Sequence, residues 1–157
     1  MILQIDAGNS QTKWRLVEGT AVHSRGSQLT QSLLDGPLLL DGISSFSSAQ
    51  LCSVADASVE LRIGRQIADN YGIRLQIAKI SPRVGRVTCG YQEPEKLGID
   101  RWLAVVAAYH RDRCATLVVD VGSAMTIDLV SPDGQHQGGY ILPGMRLMRE
   151  SLWRGTN

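Results

Sequence analysis

Aromatic side chains are scarce in this sequence. Phenylalanine occurs once, and Phe, Trp and Tyr together make up 5% of the 157 residues. A core must therefore come from Val, Ile, Leu and Ala, within a hydrophobic share of 43%. That is enough for one ordinary core or two small ones. Neither sign of charge is in excess. The formal net charge of +1 argues against an electrostatic nucleic-acid binder. No apolar run approaches the roughly 20 residues of a membrane-spanning helix, and no membrane partner is expected. The first residues carry no basic leader and no cleavage-type segment, so no signal peptide is expected. The three cysteines, Cys52, Cys89 and Cys114, are widely spaced and form no C-x-x-C pair. They read as buried thiols in a reducing, cytoplasmic compartment, with no disulfide framework and no metal centre built on them. His23, His110 and His136 are scattered and read as solvated or half-buried structural residues. Neither G-x-x-x-x-G-K-[ST] nor G-x-G-x-x-G occurs, so neither common nucleotide fingerprint applies.

What is present is an alternation of strands and helices. Residues 1–6, 12–17 and 20–24 read as an antiparallel meander joined by polar turns. Residues 31–43 are leucine-rich but interrupted by Gly36 and Pro37, and read as broken helix. A short strand is expected over 50–55. Residues 57–71 place Val59, Ile63, Ile67 and Tyr71 on one helical stripe, which Gly72 ends. A strand follows over 74–80, then a loop over 81–91. Residues 94–113 read as a helix with Leu103, Val106 and Ala107 as its apolar face. Strands are expected over 116–121, 125–131 and 139–142. Pro143 then opens a last helix carrying Met145, Met148 and Leu152 on one stripe.

One unit occurs twice. Asp6-Ala7-Gly8-Asn9-Ser10 and Asp120-Val121-Gly122-Ser123-Ala124 each close a hydrophobic strand with Asp, any residue, Gly and a small polar residue. A returning strand follows each. Such a repeat points to two related α/β halves, the second much shorter. Gly8 permits close backbone approach to an anion, and Asn9 and Ser10 add donors. Asp6 can orient a hydrated divalent cation. Lys13 can supply counter-charge to phosphate. Gly122, Ser123 and Ala124 leave room for a phosphate, and Thr126 adds a hydroxyl. Either turn alone is an ordinary hairpin connection. The pair points to a polyphosphate ligand.

Two further segments carry chemistry. In Gly98-Ile99-Asp100-Arg101, Asp100 can accept a hydroxyl proton while Arg101 holds an anionic substrate. The same dipeptide also serves as an exposed ion pair of little consequence. Tyr91 can line such a site or sit half-buried in its loop. In Gly138-Gly139-Tyr140-Ile141-Leu142-Pro143-Gly144, small residues precede a helix N-terminus suited to phosphate, or simply punctuate a strand-to-helix junction.

Together these segments resemble the type III pantothenate kinases. The likeness rests on Asp6 to Ser10 with Lys13, on Tyr91 and Glu93 to Leu97, on Gly98 to Arg101, on Asp120 to Ala124 with Thr126, and on Gly138 to Gly144. All occur in the family's order and spacing. The resemblance implies an α/β fold of the ribonuclease-H-like, actin-like ATPase type, with mixed sheets flanked by helices around a nucleotide cleft. On this reading residues 1–113 form the first domain and 114–157 begin an incomplete second one, because family members continue well past Asn157. The implied activity is ATP-dependent phosphorylation of pantothenate, the first step towards coenzyme A. Asp6, Gly8, Asn9 and Lys13 would bind ATP phosphates from the first turn, and Gly122, Ser123 and Thr126 from the second. Asp6 and Asp120 would serve Mg²⁺ or another divalent cation. Asp100 would be the general base, with Tyr91, Gly98, Asp100 and Arg101 binding pantothenate. A monovalent cation (K⁺ or NH₄⁺) and a homodimer are further implications. Ser123 stands where the family usually has Thr, and both carry a hydroxyl. The alternatives are another kinase or phosphatase of the same superfamily, or a non-catalytic transcriptional accessory factor.

Overall fold

The computed structural model describes residues 1–156. The chain forms two compact units, Met1–Lys79 and a second that begins at Ile80. The first opens with β1 (Ile2–Ala7), β2 (Gln11–Glu18) and β3 (Ala21–Leu29). A short helix α1 (Ser32–Asp35), strand β4 (Ser48–Ser53), helix α2 (Ala57–Tyr71) and strand β5 (Leu75–Ile77) follow. The sheet order is β3-β2-β1-β4-β5. β1 pairs antiparallel with β2 and parallel with β4. This antiparallel opening followed by parallel crossovers is the ribonuclease-H-like sheet.

Strand alternation sets the core. Leu3, Ile5 and Ala7 of β1 point inward with Trp14 and Leu16 of β2 and with Ala49 and Leu51 of β4, while intervening residues face out. α2 begins at Asp56, whose carboxylate accepts from the Ser58 amide at 2.8 Å. That cap satisfies one of the helix's unpaired first-turn donors. The helix ends at Gly72 in the left-handed region, φ 66°. Its Val59, Ile63 and Ile67 are buried in the core, each worth about 1.5–3 kcal/mol of burial. Tyr71 lies beside Phe46, with ring centroids 4.5 Å apart.

The meander and α2 thus match the sequence reading, and three elements of this unit differ. β3 runs on to Leu29, because Gly26 leaves room for the Trp14 ring, which a Cβ would meet at 2.6 Å. The helix expected over 31–43 is one turn long. Gly36 is extended and Leu38 is held through Gln66, whose amide bonds both its N–H and its carbonyl. The strand expected over 74–80 pairs only at Leu75–Ile77.

The second unit contains β6 (Arg83–Val84) and β7 (Val87–Thr88), a 3₁₀ turn at Pro94–Lys96, and helix α3 (Ile99–Asp112). It continues with β8 (Thr116–Val121), β9 (Ala124–Val130), β10 (His136–Pro143) and helix α4 (Met145–Thr156). The 81–91 segment is therefore a small hairpin rather than loop, turning at Gly85 with φ 58°. β8, β9 and β10 form an antiparallel sheet in that order. It repeats the β1–β2–β3 meander of the first unit, as the duplicated turn predicts. No counterpart of the parallel β4 and β5 occurs among the described residues.

α3 packs against β8 and β9. Its buried face is Ile99, Arg101, Trp102, Val105 and Tyr109, and Leu103 and Ala107 are exposed. The expected face of Leu103, Val106 and Ala107 is thus corrected by about one residue's rotation, since Trp102 and Tyr109 bring far more area to burial. The Pro94 helix also breaks at Leu97, whose backbone is extended and whose side chain is buried. Pro143 belongs to β10, and α4 starts two residues later. The face of the sheet bearing Leu117, Val119, Val121, Leu129, Tyr140 and Leu142 is exposed. Cys89 is buried and Cys52 half-buried, but Cys114 is exposed, which corrects the expectation of three buried thiols.

Candidate functional site

The first turn is built around Gly8. Its N–H donates to the Gln11 carbonyl at 3.0 Å, and a Cβ there would meet that oxygen at 3.1 Å. Thr30 braces the turn from behind. Its hydroxyl donates to the Gly8 carbonyl at 2.6 Å, and its N–H to the Ser10 carbonyl at 3.1 Å. Buried Thr12 shares a 3.0 Å hydroxyl contact with Thr30. Asp6 and Lys13 are direct cross-strand partners in the β1–β2 register, so both project from one face at the turn. Asn9, Ser10, Asp6 and Lys13 are exposed. The structure thus brings Asp6, Gly8, Asn9 and Lys13 together. Thr12 and Thr30 were missed in the sequence, where two threonines 18 residues apart give no signal.

The second turn has the same logic in a shorter form. Gly122 N–H donates to the Ala124 carbonyl at 2.8 Å. Asp120 pairs with Thr126 across β8 and β9, where Asp6 pairs with Lys13 in the first turn. Asp120, Gly122 and Ser123 are exposed and Thr126 half-buried. Gly144, at the head of α4, packs onto this turn, its N–H donating to the Ser123 carbonyl at 3.1 Å. A Cβ on Gly144 would lie 2.2 Å from the Gly122 carbonyl oxygen. Close approach of backbone to backbone is therefore what requires glycine there.

Asp100 sits in the first turn of α3, where a negative charge suits the helix dipole. Its Oδ1 accepts from the Arg101 N–H at 2.8 Å. A Cβ on Gly98 would lie 2.5 Å from that same Oδ1, so Gly98 makes space for the carboxylate. Arg101 turns away from Asp100. Its Nε donates to Asp128 Oδ2 at 2.9 Å and its Nη2 to Asp128 Oδ1 at 2.7 Å. The hydrogen bond to Asp128 raises the guanidinium above its ordinary value against the opposing effect of burial. This is a buried two-pronged pair, and the reading of Arg101 as half of an exposed ion pair is ruled out. Arg101 Nη1 also donates to the Tyr91 hydroxyl at 3.4 Å.

His136 completes the cluster. Its Nε2 lies 2.9 Å from Asp128 Oδ1, and the Tyr91 ring stacks on the imidazole with centroids 5.9 Å apart. His136 is fully buried, not solvated or half-buried as the sequence suggested. Tyr91, Gly98, Asp100 and Arg101 are therefore contiguous, and Asp128 and His136 are the members sequence reading missed. The signal available was an Asp at an inward position of β9, between Thr126 and Val130. Among the described residues no group of three or more His, Cys, Asp or Glu is placed to hold a metal, and no helix is long and apolar enough to cross a membrane.

With this geometry in view, the comparisons with known proteins are specific. The sequence model of the type III pantothenate kinase family matches residues 2–157. A type III pantothenate kinase from Chromohalobacter salexigens is 41% identical over 99% of this chain. The chain spans 56% of that relative's length. Among solved structures, one from Campylobacter jejuni assigned to a Baf family of transcriptional activators aligns over 98% of this chain and 60% of its own. The TM-score is 0.59 and the identity 24%. A structure from Sinorhizobium meliloti assigned as a 2-dehydro-3-deoxygalactonokinase aligns over 97% of this chain and 56% of its own, with TM-score 0.58 and 14% identity. At these identities the structural likeness speaks for the fold alone, the actin-like ATPase fold with its ribonuclease-H-like sheets.

Proposed function

The chain belongs to the type III pantothenate kinase family, and on that premise we propose that the full protein transfers the γ-phosphoryl group of ATP to the hydroxyl of pantothenate, opening coenzyme A biosynthesis. The observation that carries the reading is the placement of Asp100. It lies at the head of α3 with one oxygen held by the Arg101 N–H, which leaves Oδ2 to take the acceptor's hydroxyl proton. Phosphoryl transfer leaves little covalent work to the protein, so positioning and charge carry the catalysis. Arg101 and Tyr91, joined to each other, bind pantothenate beside Gly98.

The two Asp-x-Gly turns contact the ATP phosphates. Gly8, Asn9 and Lys13 act in the first, and Gly122, Ser123 and Thr126 in the second. The duplicated turn supports two ribonuclease-H-like domains, one carrying each turn. Asp6 and Asp120 fit a hydrated divalent ion. Each is a single exposed carboxylate at a strand end, and Mg²⁺ keeps waters and takes one or two carboxylates plus substrate phosphate. When bound, the ion neutralises charge developing on the phosphate oxygens. Family membership supports the K⁺ or NH₄⁺ requirement, the homodimer and a cytoplasmic site of action. The test is ATP turnover by the full chain with and without pantothenate. ADP formation that depends on pantothenate, one for one with a phosphorylated product, is expected. ATP turnover indifferent to pantothenate, or none, overturns the reading.

A further inference from the structure

The buried cluster in the second unit holds two ionisable side chains that the proposed chemistry does not use, Asp128 and His136. An arginine that is only 6% exposed must be matched by charge, and Asp128, 2% exposed, supplies it. The pairing is also geometric. The carboxylate takes Nε and Nη2 together, which fixes the plane of the guanidinium. Nη1 is left with one long contact, to the Tyr91 hydroxyl. The carboxylate is itself held. It can only accept, so the 2.9 Å contact means that His136 Nε2 carries a proton and donates it to Oδ1. The stacked Tyr91 ring fixes the imidazole in turn. Space for the pair comes from Gly139, where a Cβ would lie 2.4 Å from Asp128 Oδ1 and 2.8 Å from Arg101 Nη2.

We propose that Asp128 and His136 are positioning residues for the acceptor site: His136 pins Asp128, Asp128 fixes the Nε–Nη2 edge of Arg101, and Arg101 thereby presents Nη1 to a carboxylate on the acceptor. The proposal rests on the reading of Arg101 as an acceptor-binding residue. The chain of contacts runs Tyr91, His136, Asp128, Arg101 and back to Tyr91, so the side chain that caps the imidazole also touches the donor it helps to aim. A carboxylate meeting Nη1 finds a donor whose direction is already set, and binding then has little rotamer freedom left to remove.

The experiment uses the full chain and measures kcat together with KM for pantothenate and for ATP. Circular dichroism establishes that each variant is folded. Arg101→Met serves as the reference. Asp128→Asn keeps the shape but loses the charge, and His136→Leu removes the donor to Asp128. Both are expected to raise the KM for pantothenate about 10- to 100-fold and to leave the KM for ATP nearly unchanged. His136→Gln places an amide N–H near the position of Nε2 and is expected to restore most of the loss. A folded Asp128→Asn with an unchanged pantothenate KM overturns the proposal. So does a His136→Gln as impaired as His136→Leu. If Asp128→Asn does not fold, the two His136 variants decide. If Arg101→Met keeps its pantothenate KM, the acceptor-binding reading itself fails. If Arg101→Met is impaired while Asp128→Asn and His136→Leu are not, only the positioning role fails.

Discussion

Gly138 and Gly139 are adjacent, and replacing each by alanine should fail for different reasons and by different amounts. Gly138 sits in the β10 bulge at φ +94°, with open space where a Cβ would go. Its alanine variant meets only backbone strain, about 1–2 kcal/mol. Gly139 has an ordinary backbone but no room. Its Cβ would lie 2.2 Å from the Ile127 carbonyl oxygen on the paired strand. The same Cβ also runs into Asp128 Oδ1 and Arg101 Nη2, so relief requires both that β10 draw away from β9 and that the Arg101–Asp128 pair separate. Overpacking costs about 1–3 kcal/mol, and breaking a buried ion pair about 3–5 kcal/mol. Gly139→Ala should therefore cost about 3–5 kcal/mol. Hydrogen exchange of the full chain separates the two cases, because peptides from β9 and β10 report on this sheet and peptides from β1 serve as the internal reference. A 3–5 kcal/mol loss speeds exchange in β9 and β10 by two decades or more, at one decade per about 1.4 kcal/mol. Gly138→Ala should change it about tenfold. If Gly139→Ala is no more destabilising than Gly138→Ala, the crowding argument is refuted.

Three other outcomes follow from the site and the caps. Asp100→Asn should lower turnover by about 10²–10⁴-fold at saturating pantothenate; turnover within a few-fold of wild type rejects Asp100 as the base. Asp6→Ala and Asp120→Ala should each weaken use of the metal–nucleotide complex while titration calorimetry finds pantothenate affinity unchanged; the reverse pattern means the turns are misassigned. At Asp56, the hydrogen bond from Ser58 holds the carboxyl below its ordinary value. The folded state thus binds this proton less readily than the unfolded one. The stabilisation is complete above the usual aspartate range and is lost as pH falls through the depressed value. Asp56→Ala should accordingly lower the denaturation midpoint at neutral pH and make no difference at strongly acidic pH.

What the sequence made legible was periodic or repeated. The α2 stripe of Val59, Ile63 and Ile67, the opening meander and the duplicated Asp-x-Gly turn are all local patterns of two or more matching residues. What it concealed depended on partners far apart in the chain. Arg101 and Asp128 are separated by 27 residues, and nothing local to either marks the pair. The α3 face was misjudged because Leu103 and Ala107 are apolar by type, whereas burial went to Trp102, Tyr109 and a charged arginine. The paired glycines were visible, but their reason was not. Gly139 is small to accommodate a salt bridge, and Gly144 to let α4 meet the Gly122–Ser123 turn.

The register of the first sheet also has a consequence in time. β1 is the central strand, and its parallel partner is Ile2 to Ser48, a separation of 46 residues. At translation rates of about 5–20 residues per second, β4 emerges roughly 2–9 s after β1. A three-stranded hairpin assembles within microseconds to milliseconds, so β1, β2 and β3 have ample time to pair first. Through that interval the open edge of β1 has no strand to receive it, and Leu3 and Ile5 have neither α2 nor β4 to cover them. In the second sheet β8 pairs with β9 and β9 with β10, each the strand made next. In the order of synthesis, the first sheet waits on β4 for its centre to close.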